Sequence, residues 1–158
     1  MEDSMNFFLE NGGFILGLLG AALAAILPGI GSAKGVGMVG EAAAGVLIDE
    51  PQKFAKALIF ELLPGTQGLY GFIICIMAMG KLNLGVELGI GLAVLMACLP
   101  IAFVGYFSAV SQAKVSLADI NLLIKNESQS TKGIILAVMV ETYAILALVS
   151  SIMLLGKI

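Results

Sequence analysis

Four long apolar segments constrain the fold of this chain more than any other feature. They run from about Gly12 to Ile48, from Phe54 to Met79, from Leu84 to Ile124 and from Thr131 to Leu155. About 20 apolar residues are enough for a helix to cross a bilayer, so each segment can make a crossing. Only 12% of the residues are charged, against about 25% in a soluble domain. The sequence therefore predicts an all-α integral membrane protein with four transmembrane helices.

The first and third segments are too long for one straight crossing. At about 1.5 Å per residue they should extend past the membrane on one side. Four charged residues lie in these extensions, and we expect them to be solvated or to contact neighbouring copies or a central-stalk subunit. They are Lys34, Glu41, Lys114 and Asp119.

Lysine placement predicts the orientation of a multi-pass protein of the cell membrane. Lys53 and Lys56 flank the first loop, and Lys125 and Lys132 flank the third. The middle loop has only Lys81 and the carboxyl end only Lys157. The positive-inside rule places loops one and three in the cytoplasm and both termini outside. The amino end begins with an acidic stretch instead of the basic region of a secretory signal, so the first segment should remain as a spanning helix.

An internal repeat relates the two halves of the chain. A shift of 76 residues places Ser32 over Ser108, Lys56 over Lys132 and Thr66 over Thr142. Matched polar residues in apolar sequence indicate duplication. We therefore expect one membrane domain over residues 1–158, made of two fused helical hairpins at 12–79 and 84–156.

Glu141 lies in the middle of the fourth segment, with no basic residue within two helical turns. A charge at the centre of a membrane helix costs about 2.5–3.5 kcal/mol on insertion scales, and such residues usually have a function. The equivalent position of the first hairpin is Gly65, so only the second hairpin carries the carboxylate.

Candidate partners for Glu141 lie on the second and third segments. Leu63, Thr66, Gln67 and Tyr70 share one helical face, because they are spaced at i, i+3, i+4 and i+7. Pro64 lacks a backbone donor and can leave a carbonyl oxygen free to bind a ligand. Gln112 on the third segment adds another amide.

This set of residues favours a monovalent cation. Divalent ions usually take several carboxylates, whereas one carboxylate with neutral oxygens forms a neutral occupied site. Two glutamines and a threonine exceed what a proton needs, so we expect Na⁺, with H⁺ as the alternative. The structural alternative is that these polar groups only join the helices by hydrogen bonds.

Three sequence blocks resemble the proteolipid subunits of V-type rotary ATPases, above all the duplicated subunit K of bacterial sodium-translocating enzymes. They are Pro28–Gly37, Leu63–Gly71 and Lys132–Ile135 with Val140–Ala144, and the resemblance covers nearly the whole chain. It implies a homo-oligomeric rotor ring in the lipid bilayer, with the first and third helices inside. It also implies a stator membrane subunit that supplies an Arg, and central-stalk subunits.

The resemblance further implies a role for each candidate site residue. The ion ligands would be the side chains of Glu141, Thr66, Gln67 and Gln112 and the backbone oxygen of Leu63, and Tyr70 would hydrogen-bond the carboxylate. Rotation of the ring would couple movement of Na⁺ or H⁺ to ATP hydrolysis or synthesis. The subunit itself would be non-catalytic, because the chain contains no nucleotide-binding motif and no histidine.

Two other classes of protein remain open from the residues alone. A small four-helix cation or drug exporter also uses one intramembrane glutamate, but its chamber would need aromatics such as Trp, which this chain lacks. A channel-forming structural proteolipid would explain the many glycines but not the lone carboxylate. Neither reading involves nucleic acid.

Overall fold

The chain folds into long helices joined by short turns. The computed structural model describes the backbone of residues 2–158 and the side chains of residues 6, 7 and 10–158, so Met1 of the predicted domain lies outside the described residues. The helices are α1 (Glu2–Asp49), α2 (Phe54–Leu62), α3 (Thr66–Met79), α4 (Leu88–Lys125) and α5 (Ser130–Leu155).

Four helical stretches are long and apolar enough to cross a membrane. They span Glu10–Asp49, Pro51–Met79, Leu88–Lys125 and Glu127–Leu155. The second comprises α2 and α3, which are separated only by the 3₁₀ turn Leu63–Gly65. The predicted fold class, an all-α membrane protein with four transmembrane helices, is confirmed.

The first and third stretches are longer than the other two, as expected. α4 has 38 residues, a length of about 57 Å at 1.5 Å per residue, whereas the second and fourth stretches each have 29 residues. A hydrocarbon core is about 30 Å thick. α1 and α4 therefore extend beyond any single crossing.

The helix boundaries repeat with the same shift as the sequence. α1 ends at Asp49 and α4 at Lys125, and α3 ends at Met79 and α5 at Leu155. Equivalent 3₁₀ turns at Pro51–Lys53 and Glu127–Gln129 precede α2 and α5. All these pairs are 76 residues apart. The halves differ at Pro64, where the first hairpin has its extra 3₁₀ turn, because the equivalent residue Val140 has a backbone N–H and the helix continues.

Glycines set how closely the helices approach. A Cβ atom built on Gly91 of α4 would lie 1.8 Å from the carbonyl oxygen of Gly13 in α1, and one on Gly71 of α3 would lie 2.1 Å from that of Ala24. Any larger residue would separate the backbones. Small residues at helix contacts are typical of membrane bundles, in which van der Waals packing holds the helices together.

Loops one and three lie at the same end of the bundle. The Lys56 ammonium forms a 2.7 Å salt bridge with Glu127, and the Lys53 ammonium donates a 3.4 Å hydrogen bond to the Ile124 carbonyl. We call this the paired-loop end. α1 and α4 both end there, at Asp49 and Lys125.

One of the four charged residues in these extensions is not solvated. Lys34, Glu41 and Lys114 are exposed, but the Asp119 side chain is only 3% exposed. The expectation that Asp119 contacts solvent or another subunit is therefore wrong. The physical reason is that Asp119 lies on the face of α4 that packs against α5, next to Gly133.

The close glycine contact predicts that Gly91→Ala destabilises the chain by about 1–3 kcal/mol, because the added methyl group overlaps the α1 backbone. Gly89→Ala is the control: Gly89 is exposed on the same helix, and a Cβ there meets nothing within 4 Å. That control should be neutral or slightly stabilising, since alanine favours helix over glycine. Thermal unfolding in detergent measures the stability of both variants, and equal midpoints would contradict the close contact between Gly91 and Gly13.

Candidate ion-binding site

Glu141 lies in the middle of α5 and is 9% exposed. The Tyr70 hydroxyl donates a 2.6 Å hydrogen bond to its Oε1 atom. The Gln112 amide nitrogen lies 3.5 Å from its Oε2 atom. The described residues form two salt bridges, Lys53–Glu50 and Lys56–Glu127, and neither of them involves Glu141. Glu141 is therefore held by neutral donors alone.

A chain of amide hydrogen bonds connects α3, α4 and α5. The Gln67 amide nitrogen donates to Oε1 of Gln112 at 2.6 Å, and the Gln112 amide nitrogen donates to the Ala137 carbonyl at 3.1 Å. Both glutamine side chains are 0% exposed. Buried amides are stable only when hydrogen-bonded, so each glutamine orients the other.

The 3₁₀ turn at Leu63–Gly65 forms one wall of the site. Pro64 has no N–H with which to continue α2. The Leu63 carbonyl oxygen accepts hydrogen bonds from the Thr66 N–H and from the Thr66 hydroxyl at 3.1 Å. The Thr66 hydroxyl is also 3.4 Å from Oε1 of Gln67. Three oxygen atoms thus lie close together where the helix changes its hydrogen-bond pattern.

Ser108 belongs to this network although it is not among the residues predicted for the site. Its hydroxyl donates to the Val140 carbonyl at 3.2 Å and accepts from the Gln67 amide at 3.4 Å. The signal was present, because Ser108 is one turn from Gln112 on the same helical face and is a matched residue of the repeat.

All six predicted site residues meet in one place. Tyr70 and Gln112 contact Glu141 directly, Gln67 contacts Gln112, and Thr66 links Gln67 to the Leu63 carbonyl. The cluster combines one carboxylate with hydroxyl, amide and carbonyl oxygens. Hard cations prefer oxygen ligands, and a single negative charge matches a monovalent one. Whether these residues bind an ion remains a prediction.

An apolar groove of about 300 Å³ lies beside the site, between α4 and α5. Its walls include Phe103, Phe107 and Tyr143, which are 51%, 64% and 66% exposed. Ser108 and Val140 form its edge nearest Glu141. The site is thus close to the outer surface of the single chain.

The family model described as the ATP synthase C subunit matches the chain twice, over residues 19–78 and 88–154. The chain belongs to that family, and the two matches coincide with the two halves of the repeat. The resemblance inferred from the three sequence blocks is confirmed.

Individual relatives are similar over most of the chain. The V-type sodium ATPase subunit K of Enterococcus hirae is 54% identical over 147 residues, covering 92% of this chain and 93% of that protein. The A-type ATP synthase subunit K of Methanocaldococcus jannaschii is 35% identical over 89% of this chain, which spans 62% of that protein. The 16 kDa proteolipid of the V-type proton ATPase of Nephrops norvegicus is 25% identical over 80% of this chain and 89% of its own length.

The Tyr70 hydrogen bond predicts a change in the reactivity of Glu141. Its hydroxyl covers one carboxyl oxygen and holds it in place, and a hydrogen bond to a charged group contributes about 1.5–3 kcal/mol. Tyr70→Phe should therefore free the Glu141 carboxyl for reaction and speed its labelling by a carbodiimide about tenfold in sodium-free buffer near neutral pH. Tyr143→Phe is the control, because Tyr143 is 66% exposed. Equal labelling of the two variants would contradict this role.

Proposed function

We propose that this chain is the rotor-ring subunit of a V-type ATPase and carries Na⁺ across the membrane. Rotation of the ring would couple this transport to ATP hydrolysis or synthesis by other subunits. The observation that carries the proposal is Glu141, a carboxylate that is 9% exposed and is held only by Tyr70 and Gln112. Ionisable groups at this depth are rare and typically mark ion pathways.

The oxygen atoms around Glu141 favour Na⁺ over H⁺. Binding a proton needs the carboxylate and at most one acceptor. The site additionally assembles Gln67, Gln112 and the pair of Leu63 carbonyl and Thr66 hydroxyl oxygens, which are 3.1 Å apart. We propose that Glu141, Thr66, Gln67, Gln112 and the Leu63 carbonyl supply the ligands and that Tyr70 orients the carboxylate. The similarity to the V-type sodium ATPase subunit K of Enterococcus hirae also supports Na⁺ as the carried ion.

A stripe of small, partly or fully exposed residues on α1 supports assembly into a ring. Gly29, Gly37 and Gly45 are eight residues apart, and a Cβ on any of them would meet nothing within 4 Å in the single chain. Ala33 is exposed between the first two. Small residues let membrane helices approach closely, so we propose that α1 and α4 lie inside the ring, with this stripe against a neighbouring copy.

The hairpins and their orientation complete the proposal. Residues 1–158 would form one membrane domain, with hairpins at 12–79 and 84–156 and the ion site in the second. The excess of lysines supports a cytoplasmic paired-loop end, where central-stalk subunits would bind, and external termini.

The proposed mechanism depends on the ion-loaded site being electrically neutral. An ionised Glu141 facing lipid would be costly, whereas Glu141 with Na⁺ bound is neutral, so a loaded site can rotate through the bilayer. Release then requires a competing cation, which we propose is an Arg of the stator membrane subunit. The chain itself contains no arginine. A permanent Arg partner would keep Glu141 paired and prevent exchange.

Sodium should protect Glu141 from carbodiimide labelling at constant pH near neutrality, because the bound ion keeps the carboxylate ionised. Mass spectrometry of the labelled chain measures the modified fraction against NaCl concentration, with choline chloride as the control for ionic strength. Labelling that ignores sodium and falls only as the pH rises would establish H⁺ as the carried ion.

Glu141→Gln should abolish ion transport by the intact enzyme while the ring still assembles, because glutamine has nearly the same shape and hydrogen-bonding reach but no charge. Uptake of ²²Na⁺ into proteoliposomes measures transport, and native electrophoresis measures assembly. Glu87→Gln, an exposed change at the start of α4, is the matched control. Sodium transport surviving in the Glu141 variant would refute the proposed function.

A further inference from the structure

Ser108 is a buried serine of α4 that lies outside the predicted set of site residues but contacts both other helices of the site. Its side chain is 6% exposed. The hydroxyl donates to the Val140 carbonyl of α5 at 3.2 Å and accepts from the Gln67 amide nitrogen of α3 at 3.4 Å. Val140 immediately precedes Glu141. Ser108 therefore joins a candidate ligand, Gln67, to the backbone next to the carboxylate.

The direction of the hydrogen bonds at Ser108 is fixed. A hydroxyl group has one hydrogen to donate and two lone pairs with which to accept. The hydrogen of Ser108 goes to the Val140 carbonyl, which can only accept. Toward Gln67 the Ser108 oxygen then acts only as an acceptor, so it must face an amide nitrogen and not an amide oxygen.

The two ends of the Gln67 amide differ in what they can bind. Its NH₂ group has two hydrogens and two acceptors, Oε1 of Gln112 at 2.6 Å and the Ser108 hydroxyl at 3.4 Å. Its oxygen lies 3.4 Å from the Thr66 hydroxyl. A hard cation binds an amide oxygen, whereas an NH₂ group is only a donor. The two acceptors thus direct the oxygen of Gln67 toward the other candidate ligands.

A turned Gln67 amide would not fit its surroundings. The turn would bring its oxygen against Oε1 of Gln112 and the oxygen of Ser108, neither of which offers a hydrogen. The Gln112 amide cannot turn to compensate, because its nitrogen donates to the Ala137 carbonyl. Both glutamine side chains are 0% exposed, and a buried polar group without a partner is unfavourable. The orientation of Gln67 therefore depends on the acceptors that face its nitrogen.

The first hairpin provides a matched comparison. Its residue equivalent to Ser108 is Ser32, which is also 6% exposed. The Ser32 hydroxyl accepts a 2.8 Å hydrogen bond from the backbone N–H of Gly68 in α3. That hydrogen bond joins two helices and involves none of the candidate ligand side chains. The same position of the repeat thus has a packing contact in one half and a contact with a candidate ligand in the other.

We propose that Ser108 is a positioning residue that determines which end of the Gln67 amide faces the bound cation. Because Ser108 and Gln112 both accept from Gln67, the amide presents its oxygen before the ion arrives. Such preorganisation avoids the cost of turning a buried amide each time an ion binds. The inference rests on the proposed function, since it concerns the Na⁺ carried at Glu141.

The first test measures sodium affinity in the intact enzyme. Ser108→Ala should raise the NaCl concentration that half-protects Glu141 from carbodiimide about three- to tenfold, the effect of losing one hydrogen bond. Ser32→Ala is the matched control and should change that concentration less than about twofold. An unchanged concentration in Ser108→Ala, or the same rise in Ser32→Ala, would overturn the proposal.

A conservative variant tests whether the hydroxyl is the group that matters. Ser108→Thr retains the hydroxyl, and Ser108 borders the groove between α4 and α5, which has room for a methyl group. This variant should keep the half-protecting NaCl concentration within about twofold of the unmodified enzyme. A rise as large as that in Ser108→Ala would contradict the proposal.

A double variant tests whether Ser108 acts through Gln67. In chains that already carry Gln67→Met, which has no amide to orient, adding Ser108→Ala should change the half-protecting NaCl concentration less than about twofold. Residues that act through one another are non-additive, whereas a general loosening of the helices would add its full effect. A full effect of Ser108→Ala in the double variant would refute the positioning role.

The outcomes distinguish the two proposals. If Na⁺ does not protect Glu141 in the unmodified enzyme, the proposed function fails and the positioning role fails with it. If Na⁺ protects Glu141 equally well in the unmodified enzyme, in Ser108→Ala and in Ser32→Ala, the proposed function stands and the role of Ser108 is refuted.

Discussion

The hydrogen bond from Tyr70 to Glu141 joins α3 to α5 in the middle of the last apolar segment, where a lone carboxylate is most costly. The packing of the surrounding helices makes this hydrogen bond possible. Gln112 reaches the same carboxylate from α4, so three helices must converge within hydrogen-bonding distance. They can do so because glycines such as Gly71 let backbones approach closely. The neutral network stabilises the charge without cancelling it, which leaves the site able to exchange a cation.

The duplicated halves show which features depend on the carboxylate. The helices of the two hairpins end at equivalent residues, and the same 3₁₀ turn precedes the second helical stretch of each. The first hairpin has an additional 3₁₀ turn at Leu63–Gly65, which presents the Leu63 carbonyl and Thr66 hydroxyl, and the second has Glu141 with the buried Ser108 and Gln112 of α4. One half thus supplies neutral oxygens and the other the charge. Their combination gives one site per chain instead of two.

Much of the fold and of the candidate site could be predicted from the sequence, for definite physical reasons. The cost of leaving a backbone unpaired in lipid makes any long apolar segment a helix, so segment lengths predicted the four crossings. Polar residues are so rare within these segments that Thr66, Gln67, Gln112 and Glu141 stood out. Ser108 was missed although it shares a helical face with Gln112. Asp119 was wrongly expected to be exposed, because α4 is apolar around much of its circumference and the sequence does not identify which face meets α5.

The sequence by itself determined the class of protein, the repeat and the types of side chain available for a site, since these depend on hydropathy and residue chemistry alone. Only the tertiary structure decided which of those side chains meet. The meeting of Tyr70 and Gln112 at Glu141 depends on the rotation of three helices about their axes. The burial of Asp119 depends on Gly133 leaving space opposite it. Such rotations are set by steric fit between helix surfaces, a property of the packed bundle and not of any single segment.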